Sequence, residues 1–285
     1  MNGPVSINIA TAISDAGAPP DQPRAIGAVT LSCKSTPRGT ALADLRQSGA
    51  MKALFPRPNS SALQAVVINT AGGITGGDDF TLTARAGEHS SLSLTTQAAE
   101  RAYRAQPGQT GKIRNRLFVG RDARLDWVPQ ETILYDGSAL NRSLCVEMED
   151  QARLLLVEPL IFGRSAMGEV LGNAFFKDRI EIRRQGTPLF LDAMTLRGDI
   201  AAHLASPHTA AGAGAMASLV YVSPDAAAQL GPVRDMLPDT AGASLIRDDL
   251  LALRILAADG YGLRQSLVPI LRHLTNQALP RSWMT

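Results

Sequence analysis

Two glycine pairs and two acids stand together in the run Asn69-Thr70-Ala71-Gly72-Gly73-Ile74-Thr75-Gly76-Gly77-Asp78-Asp79. Gly72 and Gly77 have the spacing of a phosphate-binding loop, but such a loop continues into lysine and serine or threonine and then opens a helix. Here Asp78 and Asp79 follow, and then a strand-like alternation from Phe80. Two carboxylates would repel a phosphate, so nucleotide binding is set aside. As local structure the run reads as a tight turn between strands at 66–70 and 80–86, with glycine supplying positive φ. That reading leaves the clustering of acids with glycines unexplained.

Other chemistries find thinner support. Gly163-Arg164-Ser165-Ala166-Met167-Gly168 is one residue too long for a nucleophile elbow. Ser165 would also need a histidine base, and His89, His203, His208 and His273 sit in no recognisable signature. Cys145 falls within an alternating strand and reads as a small buried hydrophobe. Tight transition-metal sites want clustered histidine and cysteine. His203 and His208, five apart around Pro207, read as an ordinary loop. Carboxylates are the better candidates for handling a divalent metal: Asp78, Asp79, Glu131, Asp136, Glu158 and Glu169. Oxygen ligands hold such an ion loosely and let it move on. Taken singly, each acid is as readily a surface group or a partner of a nearby arginine such as Arg164.

The elements that must position these residues are mostly strands. Phe80, Leu82 and Ala84 alternate with polar residues, and so do Leu92 and Leu94, Leu125 and Trp127, Leu144, Val146 and Met148, and Ile180 and Ile182. Glycine, aspartate and proline punctuate the runs about every ten residues, which predicts stacked or sandwiched antiparallel sheets rather than βαβ units. Ser223-Pro224-Asp225 reads as a cap opening a helix toward Met236. Leu263, Leu267, Ile270, Leu271 and Leu274 predict an amphipathic helix over 263–278, ended by Pro280. Ala210–Ala217 reads as a loop. Residues 1–25 read as a loose leader and 26–285 as one β-rich domain.

Bulk properties agree. The chain has 285 residues, 45% of them hydrophobic and 19% charged, which suits a folded protein with a sizeable core. A net charge of +2 and 5% aromatics give no basis for a nucleic-acid partner. Arginine supplies 24 of the 28 basic residues, which suits protein interfaces, although a GC-rich genome explains the same excess. Cys33 and Cys145 form no CxxC, so a reducing cytoplasm is expected. No secretory signal is read at the start, and no apolar stretch approaches the roughly 20 residues of a membrane helix.

Six blocks, taken in order, resemble the urease accessory protein UreD (UreH) family. They are ALFPR (53–57), NTAGGITGGD (69–78), LTTQAAERAYR (94–104), LDWVPQETILYD (125–136), FGRSAMGE (162–169) and LPRSW (279–283). Asp79 and Glu100 stand where members often carry other polar residues, and Ala243–Ile246 lacks an aromatic common nearby. The resemblance implies a mostly β protein with β-helix-like stacking of mixed sheets and about two helices, one near the C-terminus. It implies no enzymatic activity and no tightly bound cofactor. It also implies partners: UreF-type and UreG-type proteins, apo-urease, and indirectly a UreE-type nickel carrier, with a homodimer possible within the complex. The family is thought to offer Ni²⁺ a route into urease. On that basis Asp78, Glu131, Asp136 and Glu169 are expected to line a transient nickel path. Tyr103, Arg104, Trp127 and Tyr135 are the residues to examine for partner contact, with Trp127 expected in the core. Two other readings stay open: a β-rich hydrolase using Ser165 or a carboxylate pair, and an interaction module that never meets metal.

Overall fold

The chain winds back and forth between two sheets. The computed structural model describes residues 22–57 and 60–284. The first sheet receives β1 (Ile26–Thr36) and β2 (Gly39–Gly49), and the second receives β3 (Met51–Leu54) and β4 (Leu63–Asn69). The chain returns for β5 (Asp79–Ala86), then crosses for β6 (Ser91–Thr96) and the short β7 (Glu100–Ala102). The next circuits are β8 (Gly111–Val119) with β9 (Arg124–Trp127) and β10 (Thr132–Leu134), then β11 (Ala139–Met148) with β12 (Arg153–Phe162). The first sheet closes with β13 (Ala174–Arg184) and β14 (Thr187–Gly198), followed by α1 (Ile200–Ala205). The second closes with β15 (Ala215–Val222), α2 (Ala226–Asp235), β16 (Ala241–Arg247) and β17 (Leu250–Ala257), and α3 (Gly260–Leu274) follows.

This path gives the β-helix-like, mixed-sheet fold expected. The first sheet has the order β14-β13-β11-β8-β5-β1-β2, the second β16-β17-β15-β12-β9-β6-β4-β3. The central pairs, such as β5 with β8 and β8 with β11, are parallel, whereas β1 with β2 and β13 with β14 are antiparallel hairpins at the ends. The alternation therefore marked one buried face correctly but not strand direction. Successive strands of one sheet are joined through a strand of the other, so each returns in the same sense.

Two cores result. Leu31, Leu82, Leu117, Leu144 and Phe176 of the first sheet meet Leu94, Leu125, Leu154 and Leu156 of the second. Behind the second sheet, Leu155, Val157, Leu219 and Leu253 pack against Leu263, Leu267, Ile270 and Leu271 of α3. Strands β12 and β15 are consequently buried on both faces and read as apolar runs broken only by Glu158 and Ser218. Each such α3 side chain contributes about 1.5–3 kcal/mol by leaving water.

Three local expectations shift. Helix α2 starts at Ala226 with Asp225, not Ser223, at its cap position, because the Asp225 carboxylate accepts from the Ser223 and Tyr221 hydroxyls. Helix α3 stops at Leu274, well before Pro280: Asn276 and Gln277 turn left-handed at φ 50° and 66°. The loop expected over 210–217 gives way to β15 at Ala215. Of the leader expected over 1–25, residues 1–21 lie outside the described residues. Ala25 is tied down, its N–H donating to Asp78 Oδ1 at 2.8 Å. Among the described residues no helix is long and apolar enough to cross a membrane.

Candidate functional site

The glycine-and-acid turn is a piece of masonry. Gly72 and Gly77 adopt φ of 79° and 88°, where a side chain would be strained. Gly73 allows a close approach, since a Cβ there would stand 2.3 Å from the Tyr103 ring and 2.7 Å from the Arg101 carbonyl oxygen. Asp78 is buried and spends its oxygens on backbone: Oδ1 on Ala25 N–H and Oδ2 on Thr75 N–H, both at 2.8 Å.

Other motif blocks gather beside this turn. The Thr75 hydroxyl donates to the Arg104 carbonyl, and Arg104 pairs with Asp136 at 2.9 Å. Asp136 also accepts the Asn173 N–H. Tyr103 and Tyr135 meet edge to face at 5.1 Å, and the Arg164 guanidinium lies 4.2 Å over Tyr135. Arg164 grips Glu169 through Nε and Nη2, which holds the Glu169 carboxyl below its ordinary range. Tyr103, Met167 and Val170 are exposed on this end of the molecule. Trp127 is a core residue, as expected.

Glu131 belongs to a different cluster. It is buried and accepts Arg264 of α3 at 2.8 Å, while the same guanidinium reaches Gln130 and covers the Trp283 ring at 5.0 Å. The Trp283 indole donates to the Val128 carbonyl. The blocks around Gln130 and Trp283 thus fasten α3 to the second sheet. The structure does not assemble Asp78, Glu131, Asp136 and Glu169 around one point; each is engaged by an arginine or by backbone amides. Among the described residues no group of three or more His, Cys, Asp or Glu is arranged to hold a metal. Ser165 is exposed and makes no hydrogen bond to a histidine among the described residues.

The polar interior lies between the sheets. A cavity of about 270 Å³ has Gly72, Gln97, Ala98 and Arg101 at its exposed rim and Phe80, Trp127, Arg142 and Glu158 deeper in. Glu100 stands on its wall, hydrogen-bonded to Asn69, with burial pushing its carboxyl above the ordinary range. At the inner end Arg142 is 3% exposed and bridges the sheets. It donates to Glu158 at 2.6 Å, to Asp178 at 2.9 and 2.6 Å, and to Thr132 at 3.2 Å. Trp127 Nε1 donates to the other Glu158 oxygen at 2.7 Å. Burial raises the Glu158 carboxyl against the pull of Arg142, and burial also works against the Arg142 charge, but Asp178 and Glu158 hold it firmly protonated. Beyond Glu158 and Asp178, a void of about 10 Å³ leads to Asp192, Ser218 and Arg254. Two buried carboxylates thus face one guanidinium, a set that favours a further positive charge.

Sequence reading missed Asp178 as an interior acid and Glu100 and Asp192 as half-buried ones, and noted Glu158 only as one acid among six. A signal existed: Arg142 and Asp178 each occupy the apolar phase of an alternating strand, between Leu140 and Leu144 and between Phe176 and Ile180, and Glu158 interrupts the apolar run of β12. A charge in that phase is buried by construction.

The sequence profile of the family described as UreD urease accessory protein matches residues 25–284. The chain belongs to the UreD family of urease accessory proteins. It is 59% identical over 244 residues to the urease accessory protein UreD of Ruegeria pomeroyi, covering 86% of this chain and 95% of that protein. It is 51% identical to the UreD of Roseobacter denitrificans, over 93% of this chain and 97% of the relative. The UreD of Rhizobium leguminosarum bv. trifolii is 40% identical, over 95% and 98%. As a UreD protein the chain supports urease maturation, and its family is one of accessory factors rather than of enzymes.

Proposed function

We propose that this UreD protein is a docking scaffold whose interior passes Ni²⁺ toward apo-urease. The carboxylate-lined cavity between the sheets carries the reading. Glu100 at the wall and Glu158 at the inner end offer oxygen donors of modest affinity, which suits an ion that must leave again. Asp78, Asp136, Glu169 and Glu131 then shape the surroundings of the passage, since none of them lines this cavity. UreF-type and UreG-type proteins are the partners in this reading, with GTP hydrolysis belonging to the UreG type and nickel arriving through a UreE-type carrier. The face around Tyr103, Tyr135, Met167 and Val170 combines tyrosine, arginine and methionine, the composition of interface centres. Two free thiols, at Cys33 and Cys145, fit the reducing cytoplasm.

Glu158→Gln and Glu100→Gln keep side-chain shape and remove charge. We expect each to lower urease activation by about tenfold while assembly with UreF-type and UreG-type proteins stays intact. Normal activation by an intact complex would sink the ion route and favour a metal-free docking module built on the Tyr103 face.

A further inference from the structure

Among the described residues no helix covers the outer face of the first sheet. Helices α2 and α3 both pack behind the second sheet. On β5, β8, β11 and β13 the strands are parallel and in register, so outward side chains form straight rows. One row places Lys112 and Lys177 on either side of Asn141, and another places Arg114 and Arg179 on either side of Ser143. A third sets Arg116 beside Cys145. Neighbouring strands lie about 4.8 Å apart, so Lys112 and Lys177 stand about 10 Å from each other on a gently twisted plane.

These four strands turn outward seven cationic side chains against three carboxylates, a larger excess than the whole chain's net charge of +2. Two of the three carboxylates are not spare, and the third, Glu147, stands opposite Arg183. Asp79 is held by Arg114 at 2.6 and 2.8 Å, and Glu181 by Arg179 at 2.8 Å and by Arg183. The side chains of Lys112, Arg116 and Lys177 are exposed and form no ion pair or hydrogen bond among the described residues. Between the charges stand the small polar Thr81, Thr83, Asn141 and Ser143, with Cys145 and the rings of Phe118 and Phe175.

We infer that this sheet face is a second docking surface, and that it takes a flat, carboxylate-rich face of a protein in the urease assembly. The inference rests on the scaffold reading above. Charge complementarity names the partner's chemistry. Free cations at Lys112, Arg116 and Lys177 lack anions that only a partner would bring. Interspersed carboxylates favour a protein over a nucleic acid, since Asp79 and Glu181 would stand against a phosphate backbone. The ring faces that could stack on bases are taken, Phe118 by Arg85 at 3.6 Å and Phe175 by Arg197 at 4.6 Å.

The test is reassembly from purified chains: this protein with UreF-type and UreG-type partners and apo-urease, measured over a range of sodium chloride. Wild-type association should fall steeply with salt. The variant Lys112→Glu/Arg116→Glu/Lys177→Glu should bind one component about tenfold or more weakly and with a flatter salt curve. Lys112→Arg/Lys177→Arg should bind like wild type. A charge-reversed chain that joins every component normally overturns this inference alone. So does one that keeps its place in the assembly and loses only retention on RNA, which would make the face a nucleic-acid surface. Should the triple reversal fail to fold, a salt-insensitive wild-type assembly overturns the inference as well. A wild-type chain that joins no partner at any salt overturns the scaffold reading and this inference with it.

Discussion

Arg142 of the first sheet and Glu158 of the second meet at 2.6 Å in the middle of the molecule, both less than 5% exposed. This contact joins the two sheets by charge, as Asp192 of β14 and Arg254 of β17 do just beyond it. It also forms the inner wall of the cavity, so stability and function share it.

Arg142→Met should destabilise the protein by about 3–5 kcal/mol, because Glu158 and Asp178 are left buried with no cation. Denaturant titration measures the loss. Adding Glu158→Gln and Asp178→Asn to Arg142→Met should recover most of it, since no buried charge then remains. Urease activation by that triple variant should stay low. A stable variant with normal activation would separate the buried charges from the ion route.

Arg264 is the analogous fastener for α3. Arg264→Ala strands buried Glu131 and uncovers Trp283, at an expected cost of about 2–4 kcal/mol. Arg264→Lys should rescue only part of this, because one ammonium cannot serve Glu131 and Gln130 in the same plane while lying on an indole. Thermal unfolding of the three chains side by side checks the ranking.

Asp126 lies beside Arg124, whose guanidinium also caps the Leu274 carbonyl at the end of α3. Burial pushes the Asp126 carboxyl above its ordinary value, with Arg124 offsetting only part. The folded chain therefore binds that proton more tightly than the unfolded chain does. Its stabilising contribution is complete below the ordinary carboxylate range and is lost as pH rises through the raised value. Between about pH 4 and 7 the wild-type denaturation midpoint should decline more than that of Asp126→Asn. Parallel curves would contradict the assignment.

Gly73→Ala forces a methyl group into the Tyr103 ring and the Arg101 carbonyl. The expected penalty is about 1–3 kcal/mol, with Tyr103 displaced from Tyr135. Gly72→Ala meets no atom within 4 Å, so its penalty comes from positive φ alone and is about 1 kcal/mol. If the Tyr103 face docks a partner, Gly73→Ala should weaken assembly more than Gly72→Ala at matched stability. Equal binding by both variants would remove Tyr103 from the interface.

Much of this was legible in the residue order. Period-two alternation found β5, β6, β9, β11 and β13, because one face of each meets an apolar core whatever its neighbours do. The five apolar positions from Leu263 to Leu274 located α3 for the same reason. Strand direction was not legible: alternation carries no information on whether a neighbouring strand runs with it or against it. The end of α3 was misplaced because left-handed Asn276 and Gln277, not Pro280, stop it.

The site divides along the same line. By itself the sequence determined the family, the glycine turn, and the phase of the five alternating strands, which are properties of short segments. Only the tertiary structure decided what the acids do. It spent Asp78, Asp136 and Glu169 on one end of the molecule and Glu131 on α3. It brought Arg142, Glu158 and Asp178, from three separate strands, into one buried cluster. Pairing of that kind depends on which strands face each other across the core, and no local pattern encodes a partner that lies 16 or 36 residues away on the opposite or adjacent strand.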